Sequence, residues 1–142
     1  PDALRQVLSS VTRIKGARII SVVGCGGDRD RKKRPVMGRI ASEFSDVVIL
    51  TSDNPRTEDP KKIIDEISAG CVASRQREVK LIECVDRCEA ISQAIEMANK
   101  EDKLFLFGKG HEDYQIIENT KYPHSDKNIA IEESKLKYGV TE

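Results

Sequence analysis

Residues able to serve a ligand are concentrated in three polar stretches, GCGGDRDRKKRP at 24–35, TSDNPRTEDP at 51–60 and GKGHEDYQ at 108–115. In the first, a glycine-rich turn lets backbone approach a ligand closely. Asp28 and Arg29 then lead into the basic group Arg31, Lys32, Lys33 and Arg34. The turn is not a dinucleotide fingerprint, because the third glycine of G-x-G-x-x-G falls on Arg29. No G-x-x-x-x-G-K-[ST] phosphate loop occurs anywhere in the chain. The basic side chains after Arg29 read equally well as solvated surface charge.

In the second stretch, Pro55 disfavours the α region at Asn54 and so restricts where that amide points. Asn54 offers a donor and an acceptor, and Arg56 presents a planar fork suited to a carboxylate. Asp53, Glu58 and Asp59 are open to two readings, as partners that hold Arg56 or as solvated charge. An Asn-Pro turn followed by a helix cap at Asp59 and Pro60 explains the same letters without any ligand. In the third stretch, Glu112 is a natural partner for a ligand ammonium, and Gly108 lets the backbone meet a ligand without steric cost. His111 has no second catalytic group beside it in the sequence and reads as structural, so no Ser-His-Asp or Cys-His arrangement can be assembled. Arginines and amides for a carboxylate, with an acid for an ammonium, together suit an amino-acid ligand.

Composition limits what else the chain could be. At 142 residues and 38% hydrophobic content it is the size of one domain and can bury a core without staples. Its 24 basic and 24 acidic side chains balance, which gives no general attraction to nucleic acid or anionic membrane. Cys25, Cys71, Cys84 and Cys88 follow no zinc spacing and read as reduced thiols. No apolar stretch approaches the ~20 residues a membrane span needs, and the start has no signal-peptide core, so a soluble cytoplasmic protein is expected.

The elements that must position the three loops follow from periodicity. Residues 2–12 place Leu4, Val7, Leu8 and Val11 on one helical face. ARIISVVG (17–24), VVILTS (47–52), EVKLIEC (78–84) and KLFLFG (103–108) read as strands. RPVMGRIASEF (34–44), DPKKIIDEISAGC (59–71) and RCEAISQAIEMANK (87–100) read as the helices between them. YQIIENTKY (114–122) fits a short strand or a turn. SDKNIAIEESKLKYG (125–139) reads as a last helix, with Ile129, Ile131 and Leu136 on it and Gly139 closing it. Such alternation predicts one three-layer, Rossmann-like α/β domain with a mainly parallel sheet covered on both faces. In that architecture ligands bind at the carboxyl ends of the strands, where the three polar loops fall.

GCGGDRDRKKRPVMG, TSDNPRTEDP and GKGHEDYQI closely resemble three segments of the C-terminal domain of the Mur ligases, in particular of the members that add meso-diaminopimelate. The resemblance covers essentially the whole chain. It implies ATP-dependent amide-bond synthesis in cytoplasmic peptidoglycan assembly. ATP phosphorylates the glutamate side-chain carboxylate of a UDP-linked muramoyl dipeptide, and the diaminopimelate amine attacks the acyl phosphate. It also implies two preceding domains, one binding the UDP end and one carrying the phosphate loop, the Mg2+ ligands and a modified lysine.

Carried over by position, Arg29, Asp53, Asn54, Pro55, Arg56, Gly108 and Glu112 are the implied diaminopimelate-binding residues. Asp28 matches a position that faces the ATP ribose in related ligases. No catalytic or metal-binding residue is implied within residues 1–142, and the fragment alone is expected to be inactive and monomeric. Arg31 stands where the family pattern usually has lysine, which keeps the charge. Two other readings remain open, a stand-alone amino-acid-binding α/β module and a receiver-like regulatory domain. The second lacks the acidic cluster that such domains carry at their strand ends.

Overall fold

The structure, a computed structural model, describes residues 2–10, 17–73, 78–108 and 114–138. Four strands, β1 (Ile19–Val23), β2 (Val47–Leu50), β3 (Lys80–Glu83) and β4 (Lys103–Phe107), form a wholly parallel sheet in the order β3-β2-β1-β4. Ile20 pairs with Val47 on one side of β1 and with Leu104 on the other. Every residue of β1 and β2 is buried, as continuous apolar runs inside a parallel sheet require.

Helices cover both faces. On one, α2 (Lys33–Phe44) and α3 (Pro60–Ala73) pack Ala41, Ile63, Ile64 and Ile67 against Val23, Val48 and Leu50. On the other, α4 (Arg87–Met97) packs Ala90 and Ala94 against Ile20, Val22, Val47 and Ile49. The chain thus has the expected three-layer, Rossmann-like parallel α/β fold. α2 and α3 meet backbone to backbone: a Cβ at Gly38 would lie 2.0 Å from Ile67 O, and one at Gly70 1.8 Å from Pro35 O.

The ends of the chain differ more from expectation. α1 (Asp2–Ser9) buries Leu4 and Leu8 against Ile19 and Ile40, but Val7 is 39% exposed, so its apolar stripe is narrower than the spacing suggested. Val11 lies outside the described residues. Segment 114–122 resolves into an antiparallel hairpin, β5 (Tyr114–Ile117) and β6 (Thr120–Pro123). The last helix, α5 (Asp126–Tyr138), leaves Ile131 43% and Leu136 80% exposed. It is held on α4 by polar contacts instead: Ser92 Oγ donates to Glu133, and Lys137 Nζ donates to the carbonyls of Ile95, Glu96 and Ala98 at the end of α4. Gly139 lies outside the described residues.

Candidate functional site at the strand ends

Parallel strands deliver the loops after β1, β2 and β4 to the same edge of the sheet. A cleft of about 410 Å³ opens there, lined by Gly24, Cys25, Gly26, Arg29, Asp30, Lys33, Met37, Asp53 and Gly108. A larger cavity of about 570 Å³, lined by Ile95, Ala98, Leu104 and neighbours, contains none of the site residues selected from the sequence. Arg29, Asp53 and Gly108 therefore share one cleft although up to 79 residues separate them in sequence.

Arg56 stands beside this cleft. A Cβ at Gly26 would meet Arg56 Nη1 at 3.0 Å and Arg29 Cγ at 3.4 Å, so the two arginines flank the same glycine. The backbone of Arg56 is left-handed, with φ +52, a conformation that costs a non-glycine residue about 1 kcal/mol or more. It is held by its own main-chain groups. Arg56 N donates to Ile116 O at 3.1 Å, and Glu118 N donates to Arg56 O at 2.6 Å, which makes a local parallel bridge to β5. The guanidinium Nη1 donates to the carbonyls of Gly27 at 2.9 Å and Asn54 at 3.4 Å, and among the described residues it meets no carboxylate.

The first two loops are pinned to each other. Gly27 N donates to Asn54 O at 2.7 Å, and a Cβ at Gly27 would lie 1.8 Å from Pro55 O, so only glycine lets the strands of loop pass. Asn54 is buried, and its Oδ1 accepts from Ile116 N at 2.8 Å. Asp28, also at positive φ, points its carboxylate at Thr57, whose hydroxyl lies 2.7 and 2.8 Å from the two oxygens. It lies outside the lining of the cleft. Gly108 is at φ +120, and a Cβ there would lie 3.1 Å from Gly24 O and 3.5 Å from the Asp53 carboxylate carbon. Glu112, Lys109 and His111 lie outside the described residues.

The acidic residues of the second loop have tasks that the sequence left open. Glu58 holds Arg34, not Arg56. Arg34 is 1% exposed, donates to Glu58 from both terminal nitrogens at 3.0 and 2.8 Å, and also reaches Glu66 and Gly26 O. The Arg34 bond is the main cause that pulls the Glu58 carboxyl down to about 2, against the opposing effect of burial and with help from the Asp28 N–H. Asp59 Oδ1 accepts from Lys61 N at 2.9 Å and starts α3 behind Pro60, as expected of a cap. Within the basic group of the first loop, Arg31 pairs with Glu66 at 2.8 Å on the surface, whereas Arg34 is an internal strut.

A second buried arginine was invisible in the sequence. Arg87 opens α4 behind the Asp86 cap, and its side chain is fully buried. It donates to Asp126 at 2.8 and 2.6 Å, to Ser52 O at 3.2 Å and to Phe107 O at 3.0 Å. Those two carbonyls immediately precede Asp53 and Gly108. Burial raises the Asp126 carboxyl, but the bonds from Arg87 and His124 outweigh it and hold the group well below the usual carboxylate range. The site thus rests on two buried guanidinium groups, each linking elements far apart in sequence.

Comparison with known proteins identifies the family. Residues 1–110 match the family described as Mur ligase, glutamate ligase domain. A protein of Fusobacterium nucleatum named UDP-N-acetylmuramoyl-L-alanyl-D-glutamate--2,6-diaminopimelate ligase is 50% identical over 134 residues, which is 94% of this chain and 27% of that protein. Proteins of the same name from Prochlorococcus marinus and Aquifex aeolicus are each 48% identical, over 92% and 93% of this chain and 25% and 27% of their own length. A solved structure of an enzyme of that name superposes with a TM-score of 0.85 at 38% identity, covering 97% of this chain and 28% of the solved one. The chain therefore spans about a quarter of the length of the relatives it matches. With family model, sequence and superposed fold in agreement, the chain belongs to the Mur ligase family, in its glutamate ligase domain.

Proposed function

We propose that the chain is the amino-acid-binding domain of an ATP-dependent ligase that joins meso-diaminopimelate to UDP-N-acetylmuramoyl-L-alanyl-D-glutamate in cytoplasmic cell-wall synthesis. The observation that carries this reading is the convergence of three strand-end loops on one cleft, which Arg29 lines and beside which the Arg56 guanidinium stands over Gly26. A guanidinium at the mouth of such a cleft suits a carboxylate.

Arg56 and Asn54 hold the distal carboxylate of the incoming amino acid, and Arg29, Asp53 and Pro55 complete that side of the cleft. Gly108 and Glu112 hold its distal ammonium. The other amine is thereby left to point out of the domain toward the activated glutamate carboxyl. Lysine lacks the distal carboxylate, so it would leave the Arg56 fork without its partner, a loss that lets sites discriminate by up to ~10⁴-fold.

No phosphate loop occurs in the sequence, and among the described residues no three His, Cys, Asp or Glu side chains gather as metal ligands. The reading gives the phosphates and Mg2+ to the preceding domains, with Asp28 reaching the nucleotide ribose from this side. In a ligation assay, the full-length enzyme should form product with diaminopimelate and residues 1–142 alone should form none. Turnover by the isolated chain, or a full-length preference for lysine, would contradict the proposal.

A further inference from the structure

The loop that carries Asn54 and Arg56 is bound along one side by β5 and the turn after it, and the Gln115 side chain makes two of these bonds. Gln115 Nε2 donates to Asp53 O at 2.7 Å and to Ser52 Oγ at 3.0 Å. Main-chain groups of Ile116 and Glu118 engage Asn54 Oδ1 and the backbone of Arg56. A carbonyl only accepts, so the Gln115 atom beside Asp53 O is fixed as the amide nitrogen. By the same logic Ile116 N only donates, which fixes Oδ1 of Asn54 toward β5 and turns its amide nitrogen away from that strand.

We infer that Gln115 is a specificity-positioning residue, which fixes the loop at 52–56 against the strand that follows the loop at 108–113 and so sets the spacing between the two groups that read the amino acid. The inference rests on the reading of the site proposed above. The downstream end of the carboxylate loop is held to the hairpin by main-chain bonds of Arg56, which side-chain substitutions leave in place. At the upstream end Arg87 holds Ser52 O, and the Gln115 amide adds the bonds to Asp53 O and Ser52 Oγ that tie this end to β5. Gly108, the first residue of the other loop, lines the same cleft as Asp53, and a Cβ there would lie 3.5 Å from the Asp53 carboxylate carbon. Losing the amide therefore lets Asp53, the residue after the carbonyl that Arg87 holds, shift relative to Gly108. A ligand bound at both ends is sensitive to that spacing, since misplacement by ~1 Å can cost ~10²-fold in rate.

The test uses the full-length ligase with Gln115→Met, which keeps the length of the side chain and loses both bonds, and Gln115→Glu, which faces the Asp53 carbonyl with a second acceptor. Ser52→Ala, which removes one acceptor without touching β5, is the milder companion. Both Gln115 variants should raise KM for diaminopimelate about tenfold, roughly the worth of the two bonds. They should lower the preference over lysine, with KM for ATP and for the UDP-linked dipeptide unchanged, and Ser52→Ala should do the same to a smaller degree. Unchanged KM for diaminopimelate in both Gln115 variants, or a parallel rise in all three KM values, would overturn the role of Gln115. A wild-type enzyme without preference for diaminopimelate would instead defeat the reading of the site itself.

Discussion

Replacing Asp126 by asparagine keeps the shape of the side chain and removes its charge, leaving Arg87 ionised in the interior. The Arg87 side chain is 0% exposed and that of Asp126 8%, and their two bonds are 2.8 and 2.6 Å long. Breaking a buried pair of this kind from one side costs ~3–5 kcal/mol, because the remaining charge has lost its compensation. Asparagine retains one acceptor oxygen, and Arg87 keeps Ser52 O and Phe107 O, so the lower end, ~3 kcal/mol, is expected. For 142 residues the unfolding entropy is ~300 cal/mol/K, which converts this to a fall in Tm of ~10 °C. Thermal unfolding of the 142-residue chain, followed by circular dichroism, measures it. The double variant Arg87→Met with Asp126→Leu removes the stranded charge and leaves two carbonyls without the Arg87 donor and the His124 ring nitrogen without its carboxylate. It should lose at least ~1 kcal/mol less than the sum of the two single variants. A fall of under ~3 °C for Asp126→Asn, with additive energies in the cycle, would refute the claim that this pair braces the strand ends.

Two further outcomes follow from the loop contacts. Gly27→Ala would drive a Cβ into the backbone of Pro55 at 1.8 Å, so urea unfolding should show a loss of ~1–3 kcal/mol, and an unchanged midpoint would mean that the two loops are not pinned. The carboxyl of Glu58 sits at about 2 when folded against an ordinary 4.5, so its contribution is complete above pH ~4.5 and disappears as pH falls toward 2. Glu58→Gln should therefore flatten part of the acid limb of the stability curve between those values, and an acid limb identical to wild type would exclude the Arg34 bond as its cause.

Much of the fold is legible in the letters because a parallel sheet buries its central strands on both sides. Residues 19–23 and 47–50 announce themselves as unbroken apolar runs, and the loops after them as abrupt returns to glycine, proline and charge. What the letters conceal is long-range pairing. Arg34 and Arg87 look like surface charge at helix starts, yet each is buried, because the acids that neutralise them, Glu58 and Asp126, arrive from loops and helices 24 and 39 residues away. The same limit explains α5: Ile131 and Leu136 suggested an apolar face, but Asp126, Glu133 and Lys137 anchor the helix. In the site, Arg56 and Asn54 stood out beside their proline. Gln115 did not, since nothing in YQII distinguishes a glutamine that solvates an edge from one that clamps a neighbouring loop.

The central claim is that Arg56 selects the amino acid by its second carboxylate. The direct measurement is kcat/KM of the full-length ligase for diaminopimelate and for lysine, in wild type and in Arg56→Ala. The account predicts a strong wild-type preference for diaminopimelate that collapses in the variant, through loss of activity on diaminopimelate. A variant that keeps the wild-type ratio would contradict it.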